Sequence, residues 1–400
     1  FFLQLGILYL LKSVKKIKYL PVGLFFSAIS TYAYHNTRII APLLVFTFII
    51  IYFKNLKSNF LKNKKTIFVS LIIILFLLIP QTVNIFHKEA QARSRWVFII
   101  NPNSIYQIEE KRNNFQGSPL AAKLIYNRYS LFFSTVLKNY LGFVSPKILF
   151  FDSTQNHQFN IPKTGLLYLV TLPFFYLGII HYIKKSLKGD RLSIFLVSWF
   201  ILGLIPAVIT TGDFPIIRAV TVLPLPFIFV SQSFFTLLSK IDNNKYKELL
   251  SNLFVIILFF QFALYFNKYF KQYSIDQAYS WQYGYKQAVE YIKNNYDNFN
   301  QIVFTKKYGE PHEFILFYWP WPPSDYQNDP NITWDYHDNW YWVDSFDKFQ
   351  FVNDWEIKDL SLSPKTLLIT SPKNYPNQGK IIETIYYPNN QPVFDIVSYD

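Results

Sequence analysis

The chain has 400 residues, of which 51% are hydrophobic and 20% aromatic, a net charge of +14, and neither cysteine nor methionine. The absence of cysteine excludes a disulfide framework and a thiolate metal site. Phe1–Asn267 holds 28 Lys and Arg against 8 Asp and Glu, whereas Lys268–Asp400 holds 11 against 17. Because a nucleic-acid-binding domain would be basic and soluble, this split argues against a nucleic acid partner. It predicts a basic membrane part joined to an acidic soluble part.

Two uncharged apolar arms, Tyr19–Tyr34 and Ile39–Phe53, flank the polar turn His35-Asn36-Thr37-Arg38. A helix needs about 20 apolar residues to cross the hydrocarbon core, so each arm is a little short for a full span. Lysine clusters precede the first arm and follow the second, and short loops rich in lysine lie in the cytoplasm. The pattern predicts a helical hairpin whose polar turn faces the outer side of a membrane.

Further uncharged apolar runs predict the end of one helix and five more spans, at Phe1–Leu11, Thr66–Phe86, Thr164–Ile180, Leu192–Ile209, Ala219–Ser239 and Leu249–Asn267. The short loops 181–191 and 239–249 are also lysine-rich. If all lysine clusters face the cytoplasm, the long loop, the turn 210–218 and the tail lie outside. The fold class predicted is an α-helical multi-pass plasma membrane protein with a small extracytoplasmic α/β domain, divided into 1–86, the loop 87–163, 164–267 and 268–400.

The loop His87–Lys163 is too long for a simple connection and holds ten basic residues against four acidic ones. Its segment Leu131–Phe151 is apolar with sparse lysines, which predicts one or two interfacial helices. A basic, partly interfacial loop suits the binding of a lipid-linked phosphate. It equally suits attachment to the anionic headgroups of the lipid bilayer with no substrate.

The tail after Lys268 has a mixed helix and strand pattern. Strands are predicted at Gln301–Thr305 and Lys365–Thr370, and a hairpin at Ile381–Tyr387 with Val393–Ser398. Helical spacing spans Tyr279–Tyr296, and a short helix is predicted at Pro311–Tyr318. Tryptophans between Trp319 and Trp342 either stack on sugars or pack in the domain, and packing is favoured.

The predicted topology gathers three pairs of charged or polar residues at the outer face. Inserting an arginine at the centre of a membrane helix costs about 2.5–3.5 kcal/mol of free energy. Arginines next to apolar runs on the side away from the lysines are therefore candidates for a functional role. Their forked donors fit a phosphate, and a nearby carboxylate can act as a general base. Snorkelling to headgroups is the alternative. The candidates are His35 with Arg38, Asp213 with Arg218, and Glu110 with Arg112.

Three passages resemble polytopic glycosyltransferases of the GT-C fold, related to the dolichyl-phosphate-mannose–protein mannosyltransferases. They are TYAYHNTRIIAPLLV, FVSPKILFFDSTQNHQFNIPKTGLLYLVTLPFFYLGI and LVSWFILGLIPAVITTGDFPIIRAVTVLPLP. They match in order the family's Tyr-x4-Arg-x3-Pro, Phe-Ser-Pro and Ile-Pro-Ala … Arg-Ala passages. The similarity covers roughly residues 1–238, and the tail resembles an α/β domain found in some members.

The resemblance implies inverting transfer of a sugar from a polyprenyl-phosphate donor to a glycan, lipid or protein acceptor at the extracytoplasmic face. It assigns Arg38 and Arg218 to the donor phosphate, with His35 and Asp213 as neighbours. In that family the catalytic carboxylate lies in the first outer loop, which would precede Phe1. These 400 residues alone are therefore expected to be inactive. No cofactor is assigned and no histidine metal site is predicted, although a divalent metal remains possible.

Two other classes stay open. A lipid or glycan transporter would show internal repeats, broken helices and charges at mid-membrane. The sequence has no visible repeat, and its candidate charges lie at helix ends. A non-catalytic surface-binding protein would tolerate loss of the loop arginines.

Overall fold

The computed structural model describes residues 1–60, 63–85, 97–152, 156–212, 215–337 and 340–399. The chain divides into two compact units, Phe1–Ala263 and Leu264–Asp400. The composition changes at Lys268, shortly after this division. Each unit has hydrophobic clusters of its own, and each is described below by itself.

The first unit is built from helices. Those described are α1 (Phe2–Ser13), α2 (Leu20–Ala33), α3 (Thr37–Phe60), α4 (Lys64–Ile85), α5 (Pro102–Asn113), α6 (Pro119–Ile125), α7 (Arg128–Phe143), α8 (Leu172–Leu187), α9 (Arg191–Gly203), α10 (Ile205–Val208), α11 (Ile216–Ala219), α12 (Leu225–Leu238) and α13 (Asn244–Asn267), the last of which continues past Ala263. Short 3-10 turns lie at Ile17–Tyr19, Leu169–Thr171 and Val220–Val222, and a π-helical turn lies at Lys147–Phe151.

Proline decides where several of these helices begin or break. The predicted span from Thr164 becomes helical only at Leu172, where Pro173 occupies the first turn, the position that proline tolerates best. The predicted span Ala219–Ser239 is interrupted before α12, and its two parts are bent by 54°. Pro224 at this break cannot donate a helical hydrogen bond. By contrast α3 meets no such break after Phe53 and continues to Phe60.

Small residues bring neighbouring helices into direct contact. A Cβ atom added to Gly178 of α8 would lie 2.1 Å from the carbonyl oxygen of Phe229 in α12. A Cβ atom on Gly23 of α2 would lie 2.8 Å from the backbone nitrogen of Leu10 in α1. Close approach through small residues is typical of helices that associate in lipid.

Among the described residues, four helical segments are long and apolar enough to cross a membrane: Thr37–Ser58, Lys64–Thr82, Arg191–Val208 and Asn244–Asp276. The bent pair Ile216–Val222 and Leu225–Leu238 would make a fifth if it forms one span. The other predicted spans correspond to shorter helices, α1, α2 and α8. These apolar helices indicate a membrane protein, whereas the number of crossings and their direction stay predictions.

The long loop contains three helices, α5, α6 and α7, and two of them were not predicted. The apolar segment Leu131–Phe151 forms most of α7 and the following π-helical turn. Phe143 at the end of α7 is buried with Ala207 and Val208 of α10. The residues 87–96 and 153–155 of this loop lie outside the described part of the chain.

The second unit is a seven-stranded sheet with helices. Its elements are α14 (Ser274–Asp276), α15 (Tyr285–Asn294), β1 (Gln301–Thr305), α16 (Pro311–Tyr318), α17 (Pro323–Gln327), β2 (Thr333–His337), β3 (Trp340–Phe346), β4 (Phe349–Val352), β5 (Thr366–Thr370), β6 (Lys380–Tyr386) and β7 (Pro392–Tyr399), with 3-10 turns at Ala278–Trp281, Tyr296–Asn298 and Ile357–Asp359 and a π-helical turn at Lys268–Tyr273. The strand order is β2-β3-β4-β1-β5-β7-β6. The central strand β1 runs parallel to β4 and β5, and the remaining pairs are antiparallel.

The alternation of side chains along β1 places two different clusters on the two faces of the sheet. Ile302 and Phe304 lie in the larger cluster with Val289 and Ile292 of α15. Val303 points to the other face and packs with Ile357. The small α/β domain predicted for the tail is therefore present. Its helix α15 begins only at Tyr285, because Gly284 before it has a φ of +108°.

Tryptophans 319 and 321 pack within this unit, as the sequence favours. The ring of Trp321 lies 5.5 Å from that of Phe346, and Trp319 lies 4.9 Å from Tyr296, measured between centroids. Trp334 is 51% exposed. Strands β2, β3 and β4 were not predicted.

Candidate functional site

The polar turn between α2 and α3 lies against the turn that precedes α12. The side-chain amide of Asn36 donates a hydrogen bond of 3.1 Å to the backbone carbonyl of Arg218. Arg38 is in the first turn of α3, and Arg218 is in α11. The structure thus brings together the two segments that carry the arginines singled out in the sequence.

Hydrogen bonds from a hydroxyl and a guanidinium group stabilise the turn between α2 and α3. Thr37 donates to the carbonyls of Ser30 and Tyr34, which ties the start of α3 to the end of α2. The Nε atom of Arg38 donates to the carbonyl of Thr31 at 3.3 Å. Arg38 is half-buried and His35 is exposed. The Nε atom of Arg38 is thus used for a hydrogen bond within this region. The two terminal nitrogens complete the forked donor group of the guanidinium.

The second turn is attached firmly to α9. The indole of Trp199 donates to the carbonyl of Thr221 at 2.9 Å, and the Thr221 hydroxyl donates to the carbonyl of Gly203 at 2.6 Å. Gly203 also faces Val222, because a Cβ atom there would lie 2.9 Å from the Val222 side chain. Arg218 is half-buried, with its Nη1 atom fully so. These bonds position the backbone that presents Arg218.

The long loop also reaches this region. The backbone of Ile99 donates to Ile209 at 3.1 Å, and Thr211 donates to Val97 at 2.7 Å, forming a short antiparallel bridge. The amide of Asn139 in α7 donates to the carbonyl of Val208 at 2.9 Å. The hairpin turn, the turn 210–218 and part of the loop therefore meet at one end of the helical unit.

The third predicted pair lies in α5 of the long loop. The first residues of α5 follow the bridge to Ile209, whereas Glu110 and Arg112 lie in its last turns, about 15 Å along the axis at 1.5 Å per residue. Glu110 is exposed, and the Nε atom of Arg112 donates to the carbonyl of Tyr126 at 2.6 Å. No described contact joins this pair to Arg38 or Arg218. Asp213, the neighbour expected beside Arg218, lies outside the described residues.

Lysines mark the opposite end of the unit. A side-chain hydrogen bond from Arg191 to Asn55 joins the start of α9 to the end of α3. Lys54 and Lys57 lie in the same part of α3, which has 24 residues, and Lys57 is about 29 Å from Arg38 along the helix axis at 1.5 Å per residue. One helix therefore separates the lysine-rich end from the end that holds the two arginines.

No family model, curated protein or solved structure matches this chain. Two half-buried arginines on adjoining turns, at the end of an apolar helical bundle, form a basic environment suited to a phosphate or diphosphate. Within the described residues, no group of three or more His, Cys, Asp or Glu is placed to hold a metal ion.

Several residues that build this site were not singled out in the sequence. Asn36, Asn139 and Trp199 each donate a hydrogen bond to a backbone carbonyl distant in sequence. Their only sequence signal is a polar or amphipathic side chain in or beside an apolar run. Such a residue must find a partner in a low-dielectric environment, but the sequence does not say which partner.

A second polar group lies in the α/β unit, around the start of α16. His312 is buried, and its Nδ1 atom lies 3.5 Å from a carboxylate oxygen of Glu310. Burial, with the nearby Lys306 charge, lowers the pKa of His312 to about 4. Burial likewise raises the pKa of Glu310. Both groups are therefore biased toward their neutral forms, which is how buried titratable groups avoid the cost of an isolated charge.

Proposed function

We propose that this protein is a membrane glycosyltransferase of the GT-C type that moves a sugar from a polyprenyl-phosphate donor to an acceptor at the extracytoplasmic face. The observation that carries the proposal is the hydrogen bond from Asn36 to the carbonyl of Arg218. It joins the turns that hold Arg38 and Arg218, the two residues that the sequence resemblance assigns to the donor phosphate.

The roles of the residues follow from their chemistry. Arg38 and Arg218 neutralise and orient the donor phosphate, since guanidinium groups bind phosphate oxygens through forked hydrogen bonds. His35 and Asp213 are their neighbours in sequence. The resemblance assigns the general base to a carboxylate of the family's first outer loop, and Glu110 and Arg112 take no part in the chemical step. The polyprenyl chain lies along the apolar surface of the helices.

The test measures transfer of a radiolabelled hexose from polyprenyl phosphate in liposomes, using the longest reading frame that contains this chain. Arg38→Ala and Arg218→Ala are each expected to lower kcat/KM at least about 100-fold, the size of effect seen when one preorganised donor is removed. Lys57→Ala, at the opposite end of α3, is the matched control and should leave the rate unchanged. Unchanged transfer in both arginine variants would refute the site.

A second candidate function has one observation in its favour. The bend of 54° between Ile216–Val222 and Leu225–Leu238 is a discontinuous apolar helix, a feature that transporters use at substrate sites. A flippase for the same lipid-linked sugar would bind its phosphate through the same arginines. Movement of a fluorescent polyprenyl-phosphate sugar across proteoliposomes, without any transfer to an acceptor, would favour this function over the first.

A further inference from the structure

One face of the sheet in the α/β unit is apolar in one part and polar in the other. This is the face opposite α15, to which Val303 of β1 and Val352 of β4 point. Around these residues it is apolar and covered by Ile357 and by the half-buried Leu360. Two residues before each valine, at Gln301 and Gln350, the same face carries amides instead, and Gln350 is exposed.

These amides belong to a row of polar side chains that crosses four neighbouring strands. The Nε2 atom of Gln301 donates to Oε1 of Gln350 at 2.7 Å, linking β1 to β4. Gln350 is the register partner of Ser345 in β3. The hydroxyl of Ser345 lies 2.7 Å from that of Thr333 in β2. Thr333, Ser345, Gln350 and Gln301 therefore form a continuous polar row.

The row lies in an open cavity of about 520 Å³. This volume falls within the roughly 300–1,000 Å³ of sites that bind small ligands. The remaining lining residues include the exposed amides of Asn300 and Asn331. An exposed amide can donate and accept at the same time, so the cavity presents both kinds of group side by side.

The charged residues that line this cavity are already engaged within the domain. Lys348 donates to the carbonyls of Tyr296 and Phe299 at 2.6 and 3.0 Å, and its ammonium lies over the Tyr296 ring. Asp344 is paired with Lys306, and Asp347 accepts a hydrogen bond from the Tyr296 hydroxyl. What the cavity offers a ligand is therefore mainly neutral hydroxyl and amide groups.

We propose that this cavity binds a neutral carbohydrate through the row Thr333, Ser345, Gln350 and Gln301. Sugar hydroxyls both donate and accept hydrogen bonds, and amide and hydroxyl side chains can also do both. An anionic ligand would need cations that are free to bind it, and an apolar ligand would leave the row unsatisfied. Binding here goes beyond the proposed transfer reaction and does not require it.

The test is isothermal titration calorimetry on the full chain in lipid nanodiscs, prepared without glucoside or maltoside detergents because these carry sugar headgroups. The probes are four neutral hexasaccharides (maltohexaose, cellohexaose, mannohexaose and chitohexaose) and one anionic heparin hexasaccharide. At least one neutral probe should bind with a Kd below about 1 mM, and the heparin probe should not compete with it.

The variants address the row directly. Gln350→Leu with Thr333→Val should weaken binding at least tenfold, because both replace hydrogen-bonding groups by apolar ones of similar size. Gln391→Leu changes an exposed glutamine far along the chain, in the turn between β6 and β7, and should leave the affinity unchanged. Gln350→Lys, which puts a charge in the row, should abolish binding of the neutral probe.

Two results would overturn the proposal. One is the absence of heat with all four neutral probes at 10 mM. The other is binding that the double variant does not weaken, which would place the glycan elsewhere. Since these measurements detect binding and not transfer, their failure leaves the glycosyltransferase proposal standing, and the failure of the arginine test leaves this one standing.

Discussion

Hydroxyl groups in α2 and around Asp354 find their partners at different distances along the chain. In α2, the Ser27 hydroxyl donates to the carbonyl of Gly23 at 2.8 Å, and Ser30 donates to Ser27 at 2.6 Å, both within the same helix. In the α/β unit, Thr305 at the end of β1 and Ser371 directly after β5 both donate to the carboxylate of Asp354, at 2.9 and 3.0 Å. Ser27 and Ser30 are buried in the helical unit and are satisfied by their own helix, as polar groups in an apolar environment require, whereas Asp354 accepts from hydroxyls in two separate parts of the α/β unit.

The segment Asn244–Asp276 and strand β1 also differ in how far their apolar side chains are buried. In the segment Asn244–Asp276, the most hydrophobic window has a mean hydropathy of 2.2 and none of it is buried. In β1, Ile302, Val303 and Phe304 are all fully buried. The apolar run therefore lies at the surface in this segment and in the interior in β1, as is expected where lipid surrounds a helix and water surrounds a sheet.

The largest effect should come from emptying the core of the α/β unit. Phe304 is fully buried, with its ring centroid 5.5 Å from that of Tyr285, so Phe304→Ala should lower the free energy of unfolding by about 4 kcal/mol. Phe48 of α3 is equally buried. Phe48→Ala should lower the free energy of unfolding by only about 2 kcal/mol. The variant loses packing contacts, but moving an apolar side chain from lipid into the protein interior contributes little to stability.

Two probes separate these measurements. Seven of the nine tryptophans follow Leu264, so tryptophan fluorescence during urea unfolding reports mainly on the α/β unit. The chain has no cysteine, so a single introduced cysteine can be labelled to follow unfolding of the helical unit in SDS. Equal losses for the two phenylalanines would contradict the difference between the units.

The next largest effect tests close packing in the helical unit. Gly178→Leu would force a side chain into the space where a Cβ already lies 2.1 Å from the Phe229 carbonyl oxygen. We expect a loss of about 3 kcal/mol, seen as earlier aggregation on heating in detergent micelles. Leu177→Phe enlarges the neighbouring residue, which is 44% exposed, and should aggregate at the same temperature as the parent chain.

A pH effect is expected in the α/β unit, where His312 is buried. His312 titrates near 4 in the fold because burial lowers its pKa, but near 6.5 when unfolded. Between these values the unfolded chain binds more protons, so stability falls as the pH drops from 6.5 toward 4, by on the order of 2 kcal/mol. Below pH 4 this loss is complete. Urea unfolding followed by tryptophan fluorescence at pH 7 and pH 4.5 measures it.

Glu310 contributes to the pH dependence of stability with the opposite sign to His312. Burial raises its pKa, so the folded state holds its proton more tightly and this group favours stability at lower pH. The variant Glu310→Gln removes that opposing contribution and should steepen the loss. Adding His312→Leu should flatten it, and a slope that survives the double change would assign the effect to other groups.

The smallest effect concerns the contact between the two turns. Asn36→Leu removes the hydrogen bond to the Arg218 carbonyl, at a cost of about 1 kcal/mol, and should lower sugar transfer by misplacing both arginines. Asn113→Leu, at an exposed position at the end of α5, is the control for replacing an asparagine by leucine. Full activity in Asn36→Leu would mean that this contact does not shape the site.

Local sequence patterns were sufficient for several elements. The short apolar run in Gln301–Thr305, the segment Pro311–Tyr318 and the paired runs on either side of the turn after Tyr387 predicted β1, α16 and the β6–β7 hairpin, because each depends on residues a few positions apart. The missed strands β2 and β3 are rich in tryptophan and tyrosine, in a chain whose aromatic residues are frequent everywhere. Their strand signal therefore did not stand out.

The sequence by itself determined that this chain has an apolar helical part, a small α/β part and two arginines at the ends of apolar runs. The tertiary structure decided that these arginines lie on adjoining turns. It also decided that the apolar run after Arg218 bends and that Arg112 donates a hydrogen bond to the carbonyl of Tyr126. Asn36 and Arg218 are 182 positions apart. Contacts at such distances depend on how whole helices pack, and a local pattern contains no information about the side chain that will be found opposite.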